Sequence, residues 1–199
     1  MPRHVDPDDR RAHVGAAVWR LIRAQGLAGV SVRNAAKEAE LSTGSLRHYF
    51  ATQSDLLAFA MQLVIDRVRD RVQAVGVDVE SDPRGTVRRV IDELLPLDDD
   101  RRAEAEVWFA FTAFAQTEPR LRAVRDESYE QLEGLCRDLV VILVGDTPGV
   151  DLPTEAERLY ALVDGLVLHC VVRPDRATAE LMHAVVDRHL AELVRRFGS

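Results

Sequence analysis

Ser42, Thr43, Gly44 and Ser45 stand in a row, and Arg47, His48 and Tyr49 follow within the next turn. On a short helix starting at Ser42, this run presents hydroxyls and open backbone N–H groups at the positive end of the helix, where phosphate is bound. Arginine can bridge a guanine edge or pair with a phosphate, and histidine and tyrosine can donate to phosphate. Leu46 and Phe50, four residues apart, share the other side and anchor the helix to a core. The chemistry on offer is recognition of a polyanion. Sets of residues able to do catalysis are lacking: segment 145–149 has neither the spacing nor the lysine of a phosphate-binding loop. His183 and His189 are six apart, so they do not share a helix face as a zinc pair would. Glu104 and Glu106 point to different sides of a helix and read as solvated surface. No metal site, cofactor or enzymatic activity is expected.

The elements that must position this run are short helices in close contact. Ser31 is placed to cap a helix ending at Glu38, and the turn Glu40-Leu41-Ser42 leads into the next helix, which reaches Tyr49 or Phe50. Ala35, Ala36 and Ala39 are small where two helices must cross tightly, as a helix-turn-helix requires. Thr52 with Asp55 three residues on forms a capping box opening a fourth helix to about Val75. Before them a helix from Asp8 to Ala24 carries Val14, Ala17, Val18, Leu21 and Ile22 on one stripe and ends at Gly26. Beyond Gly76, Asp82-Pro83 opens a helix closing near Pro96. Further helices run over 101–117 and 119–144, from a capping box at Thr154 and Glu157 to Val172, and from Thr178 to Phe197-Gly198. The expected fold is all-α, nine helices joined by short loops. A DNA-binding domain over 1–52 precedes a ligand-sensing and dimerisation domain over 53–199.

The 199 residues carry a net charge of −7, which has to be divided before it is used. Up to Asp55 eight basic residues stand against six acidic ones, a balance of +2, and the remaining 18 basic and 27 acidic residues leave −9. A mildly basic head precedes an acidic body. No apolar run approaches the ~20 residues of a membrane span, and residues 1–9 have no apolar core for a signal peptide, so a cytoplasmic location without a membrane partner is expected. Cys136 and Cys170 fall in apolar helical stretches and read as buried free thiols.

In the body, Trp108, Phe111 and Ala115 share a helix face, flanked by Val107 and Phe114. This aromatic wall is either plain core or one side of a ligand pocket completed by polar groups such as Tyr129, Cys136 and His169. The last two helices are apolar on more than one face, which calls for burial both in their own domain and against a second copy. Leu166 and Leu190 are assigned to that shared interface.

Ala36, Ala39, Leu41, Ser42, Gly44, the run Ser45-Leu46-Arg47-His48-Tyr49-Phe50 and Leu56-Leu57 resemble the N-terminal domain of TetR-family repressors over residues 8–60. Trp108, Phe111, Tyr129 and the stretch Ala161–Leu166 before Arg173-Pro174 resemble the BetI-like branch of the family's C-terminal domains. The resemblance implies that Ser42 to Tyr49 form the recognition helix on operator DNA, that Thr52 and Gln53 meet the DNA backbone, that the final helices build a four-helix dimer interface, and that a small-molecule effector controls binding. Two positions depart from the family pattern. Glu40 stands where glycine is usual, and a left-handed backbone there costs a non-glycine residue ~1 kcal/mol or more. Gln53 stands where lysine is usual, which shifts phosphate binding toward Arg33, Arg47 and His48. These departures and the acidic body also motivate the alternative of a small-molecule-binding protein with a degenerate head.

Overall fold

The computed structural model describes residues 7–145 and 147–197. Residues 1–6, read above for the lack of a leader, and Gly198, expected to close the last helix, lie outside the described residues. The described residues form nine α-helices, one 3-10 turn and no strand: α1 (Pro7–Gln25), the turn Leu27–Gly29, α2 (Val32–Glu38), α3 (Thr43–Arg47), α4 (Gln53–Ala74), α5 (Pro83–Leu94), α6 (Asp99–Ala115), α7 (Pro119–Val144), α8 (Leu152–Val172) and α9 (Ala179–Phe197).

Local chemistry sets most of these limits. Asp82 caps α5 by accepting the Gly85 N–H at 2.9 Å, with Pro83 in the first turn, where its missing N–H costs nothing. α8 starts one turn earlier than the Thr154 signal indicates. Asp151 is the cap, accepting the Thr154 N–H at 3.3 Å and the Thr154 hydroxyl at 2.7 Å. Aspartate outranks threonine as a cap, and Pro153 behind it is at home in a first turn. α3 is shorter than expected: past Arg47 the chain tightens, His48 N–H donating to Ser45 O at 3.3 Å and Tyr49 N–H to Leu46 O at 3.0 Å.

Packing divides the chain into two compact units, Met1–Asp66 with Glu106–Arg125, and Arg67–Ala105 with Asp126–Ser199. This differs from a boundary after residue 52. The first core takes Leu56, Leu57, Ala60, Met61 and Val64 from α4 together with Val107, Phe111, Ala115 and Leu121. The stretch around the α6–α7 connection therefore belongs, by burial, with the helix-turn-helix.

The second unit gathers Val87, Ile91 and Leu95 with Cys136, Leu139 and Val140 of α7, Leu159, Val163, Leu166 and Cys170 of α8, and Met182, Val186, Leu190 and Leu193 of α9. Both cysteines are buried thiols outside any disulfide, and burial pushes the Cys136 thiol up to about 12. Leu166 and Leu190, assigned above to an interface with a second copy, are instead enclosed by this unit's own core. The large apolar side chains that α8 and α9 leave exposed are Leu168, Val172 and Leu181.

Glu104 also departs from its expected place. It is 4% exposed, where a solvated carboxylate was expected, while Glu106 is exposed. Arg67 Nε donates to Glu104 Oε1 at 3.1 Å, and Arg71 donates to both carboxylate oxygens, at 3.0 and 2.6 Å. Glu93 extends the network, 3.3 Å from Arg71 Nε and 2.7 Å from Arg101 Nη2. A buried carboxylate is tolerated only when paired in this way.

Candidate nucleic-acid interface

The helix-turn-helix is assembled from α1, α2 and α3 in the first unit. Ser31 Oγ accepts the Asn34 N–H at 3.1 Å, starting α2, and Ser42 Oγ accepts the Ser45 N–H at 3.0 Å, starting α3. Ala35, Ala36 and Ala39 are buried. α1 holds α2 at two points: His13 Nε2 lies 2.9 Å from Ala39 O, and Arg20 Nε donates to Glu38 Oε1 at 2.6 Å. The turn is closed by the Leu41 N–H donating to Ala36 O at 2.8 Å.

Glu40 bears the cost of this turn. Its φ of 54° is the one positive φ at a non-glycine residue among those described. Its side chain is exposed and, among the described residues, finds no compensating hydrogen bond that would explain a glutamate there. Glu40→Gly is therefore expected to raise stability by about 0.5 kcal/mol, the left-handed penalty of roughly 1–2 kcal/mol less the roughly 0.5–1 kcal/mol of extra unfolded-state entropy that glycine brings. Chemical denaturation checks this through a higher midpoint at unchanged slope; a lower midpoint would show that Glu40 sits there without strain.

α3 is two-sided. Leu46 and Phe50 point into the core, the Phe50 ring lying 4.9 Å from that of Phe59 at 43°. Outside, Ser42, Gly44, Arg47, His48 and Tyr49 are exposed, with Thr43 and Ser45 half-buried. Arg33 on α2 is exposed as well, as are Thr52 and Gln53 at the start of α4. All ten sequence-derived DNA candidates thus fall in the first unit on accessible or partly accessible positions. The capping box forms in both directions: Thr52 N–H donates to Asp55 Oδ2 at 2.9 Å, and Asp55 N–H donates to Thr52 Oγ1 at 3.1 Å. Gln53 is drawn back, its amide donating to Val30 O at 3.4 Å. Sequence reasoning missed Arg120 of α7, whose guanidinium pairs with Asp55. No local signal links residues 65 apart.

Residues 16–59 match the model of the bacterial regulatory proteins of the TetR family, and residues 83–195 match that of BetI-type transcriptional repressors, C-terminal. The chain is 40% identical over 196 residues to the HTH-type transcriptional regulator PksA of Bacillus subtilis, covering 97% of this chain and 94% of that protein. The chain belongs to the TetR family. Among solved structures, a transcriptional regulator of Rhodococcus sp. Rha1 is similar at TM-score 0.82 and 30% identity, covering 95% of this chain and 98% of the other. The multidrug binding protein EbrR complexed with imidazole is similar at TM-score 0.69 and 31% identity, covering 95% and 93%. The family models and PksA describe transcriptional regulators, so the protein is a helix-turn-helix transcriptional regulator rather than an enzyme.

The effector candidates of this TetR-family regulator are divided between the units. Trp108, Phe111 and Phe114 lie in the first, Phe111 fully buried, Trp108 packed against the core and Phe114 exposed. Tyr129 and His169 lie in the second, His169 exposed and the Tyr129 ring meeting that of Tyr160 edge-on at 6.0 Å. Tyr160 is a residue that sequence reasoning passed over. Its hydroxyl is buried without a hydrogen-bond partner among the described residues, and burial raises its pKa. No helix of the described residues is long and apolar enough to cross a membrane.

Proposed function

We propose that this regulator is a homodimeric repressor that occupies operator DNA through α3 and the start of α4 and is released by a small molecule. The two-sidedness of α3 carries this reading: Leu46 and Phe50 fix the helix from within, so Ser42, Thr43, Gly44, Ser45, Arg47, His48 and Tyr49 are free to face a major groove. Arg47 reads a base edge or a phosphate, and His48, Tyr49 and Arg33 pair with phosphates. Thr52 and Gln53 meet the backbone alongside. Dimerisation through α8 and α9 brings two heads to successive grooves, ~34–36 Å apart, and is supported by the exposed Leu168, Val172 and Leu181. Effector control is supported by EbrR, a relative described as multidrug binding. Trp108, Phe111, Phe114, Tyr129 and His169 are the residues proposed to respond.

The test is a DNA-binding titration against the promoter DNA flanking the protein's own gene, repeated with a panel of amphipathic compounds. An active compound weakens DNA binding, and DNA weakens binding of that compound by the same factor. Trp108→Ala keeps operator affinity and loses the response. Equal release from wild type and Trp108→Ala would remove the aromatic wall from sensing, and a wild type without sequence-specific binding would remove the operator reading itself.

A further inference from the structure

Arg120 lies outside the segment 16–59 that matches the helix-turn-helix model and takes no part in the reading above. It is the second residue of α7, 70% exposed, and its Nη1 donates to Asp55 Oδ1, a side chain 15% exposed. The other oxygen of that carboxylate is already committed to the Thr52 N–H. One anion therefore sits in the first turn of α4, between the residue proposed to meet a DNA phosphate and a cation supplied by another helix. Hydrogen bonds from the Thr52 side chain and backbone, with the charge of Arg120, hold the Asp55 carboxyl below its usual range, so it is ionised at neutral pH.

Electrostatics give this arrangement a consequence for DNA. The start of a helix carries the equivalent of roughly +0.5 charge, and an ionised carboxylate in the first turn reverses its sign. Gln53 adds no charge to offset that reversal. Without Arg120, a phosphate approaching Thr52 would meet a net negative helix end. As a fold contact the pair is worth little, because one partner is exposed. Building on the operator-binding reading, we infer that Arg120 is a positioning residue of the DNA interface: by neutralising Asp55 it keeps the start of α4 electropositive for a backbone phosphate.

A charge cycle tests this. Operator affinity is measured by fluorescence anisotropy from 50 to 200 mM salt for the wild type, Arg120→Gln, Asp55→Asn and the double variant, with melting curves alongside. Arg120→Gln is expected to flatten the salt slope by about 0.9 per subunit, an affinity loss of roughly threefold per subunit more at 50 than at 200 mM. Asp55→Asn, whose amide oxygen can still accept the Thr52 N–H, steepens the slope by a similar amount. The double variant, again balanced in charge, returns to wild-type slope and affinity. Equal slopes for wild type and Arg120→Gln overturn the inference, and so does a double variant weaker than either single, which is what two independent, uncoupled contributions would give. A wild type with no sequence-specific affinity overturns the operator reading instead, so the two failures are distinct.

Discussion

Replacing Arg47 and Tyr49 together with alanine is expected to lower operator affinity at least 100-fold while leaving the melting temperature of the free protein unchanged. A good base contact such as Arg47 can make is worth ~1–3 kcal/mol, and a dimer loses it twice together with both Tyr49 phosphate contacts, so the estimate is a lower bound. Stability is spared because both side chains stay out of the core, Arg47 at the end of α3 without a salt bridge among the described residues and Tyr49, in the turn that follows, 41% exposed. Leu46 and Phe50, which hold the helix, are untouched. Anisotropy titration with operator DNA and calorimetry of the free protein decide the matter. Undiminished affinity with specific DNA would take α3's outer face out of the interface.

The second large effect separates core from interface on the last two helices. Leu190→Arg is expected to abolish folding, since it deletes a fully buried leucine and leaves an unpaired buried charge, each worth several kcal/mol against a total stability of ~5–15. Leu168→Arg, at a position 40% exposed, is expected instead to leave helix content intact and give a monomer at micromolar concentration. Circular dichroism and light scattering on the two proteins read both outcomes. A Leu190→Arg protein that melts like the wild type would contradict the packing of α9, and a Leu168→Arg protein that still scatters as a dimer would move the interface off this face of α8.

Features decided within one helical turn could be read from the sequence. Ser31, Ser42 and the pair Thr52 and Asp55 act on N–H groups three residues away, and each forms the bond its spacing announced. Pro119 and Gly145 bracket α7 for the same reason. The strained turn at Glu40 was legible too, because only a departure from glycine in a recognised motif exposes it. At α8 the sequence reading took Thr154 for the cap and passed over Asp151, three residues earlier, which is the cap in the structure. Leu166 and Leu190 show the limit of periodicity: it finds apolar faces but does not say which face a protomer keeps for itself. The ionic partners were invisible because they are remote in sequence. Glu104 meets arginines 37 and 33 residues away, and Arg120 meets an aspartate 65 away. For the DNA candidates, the structure adds accessibility and common membership of one unit to what the motif implies. The effector candidates gain less, since the aromatic wall and Tyr129 fall in different units.

The grip on Glu104 has a mechanical consequence. Arg67 and Arg71 are one turn apart, so both leave α4 on the same side and close on a single carboxylate. Rolling α4 about its own axis by even one residue, ~100° of rotation at 3.6 residues per turn, would swing both guanidiniums away and strand a buried anion at a cost of ~3–5 kcal/mol. Sliding α4 along its length by one turn would put one arginine in the other's place and leave the carboxylate with one of its two α4 arginines. The last turns of α4 are thereby keyed to the Glu104 carboxylate both in rotation and in register.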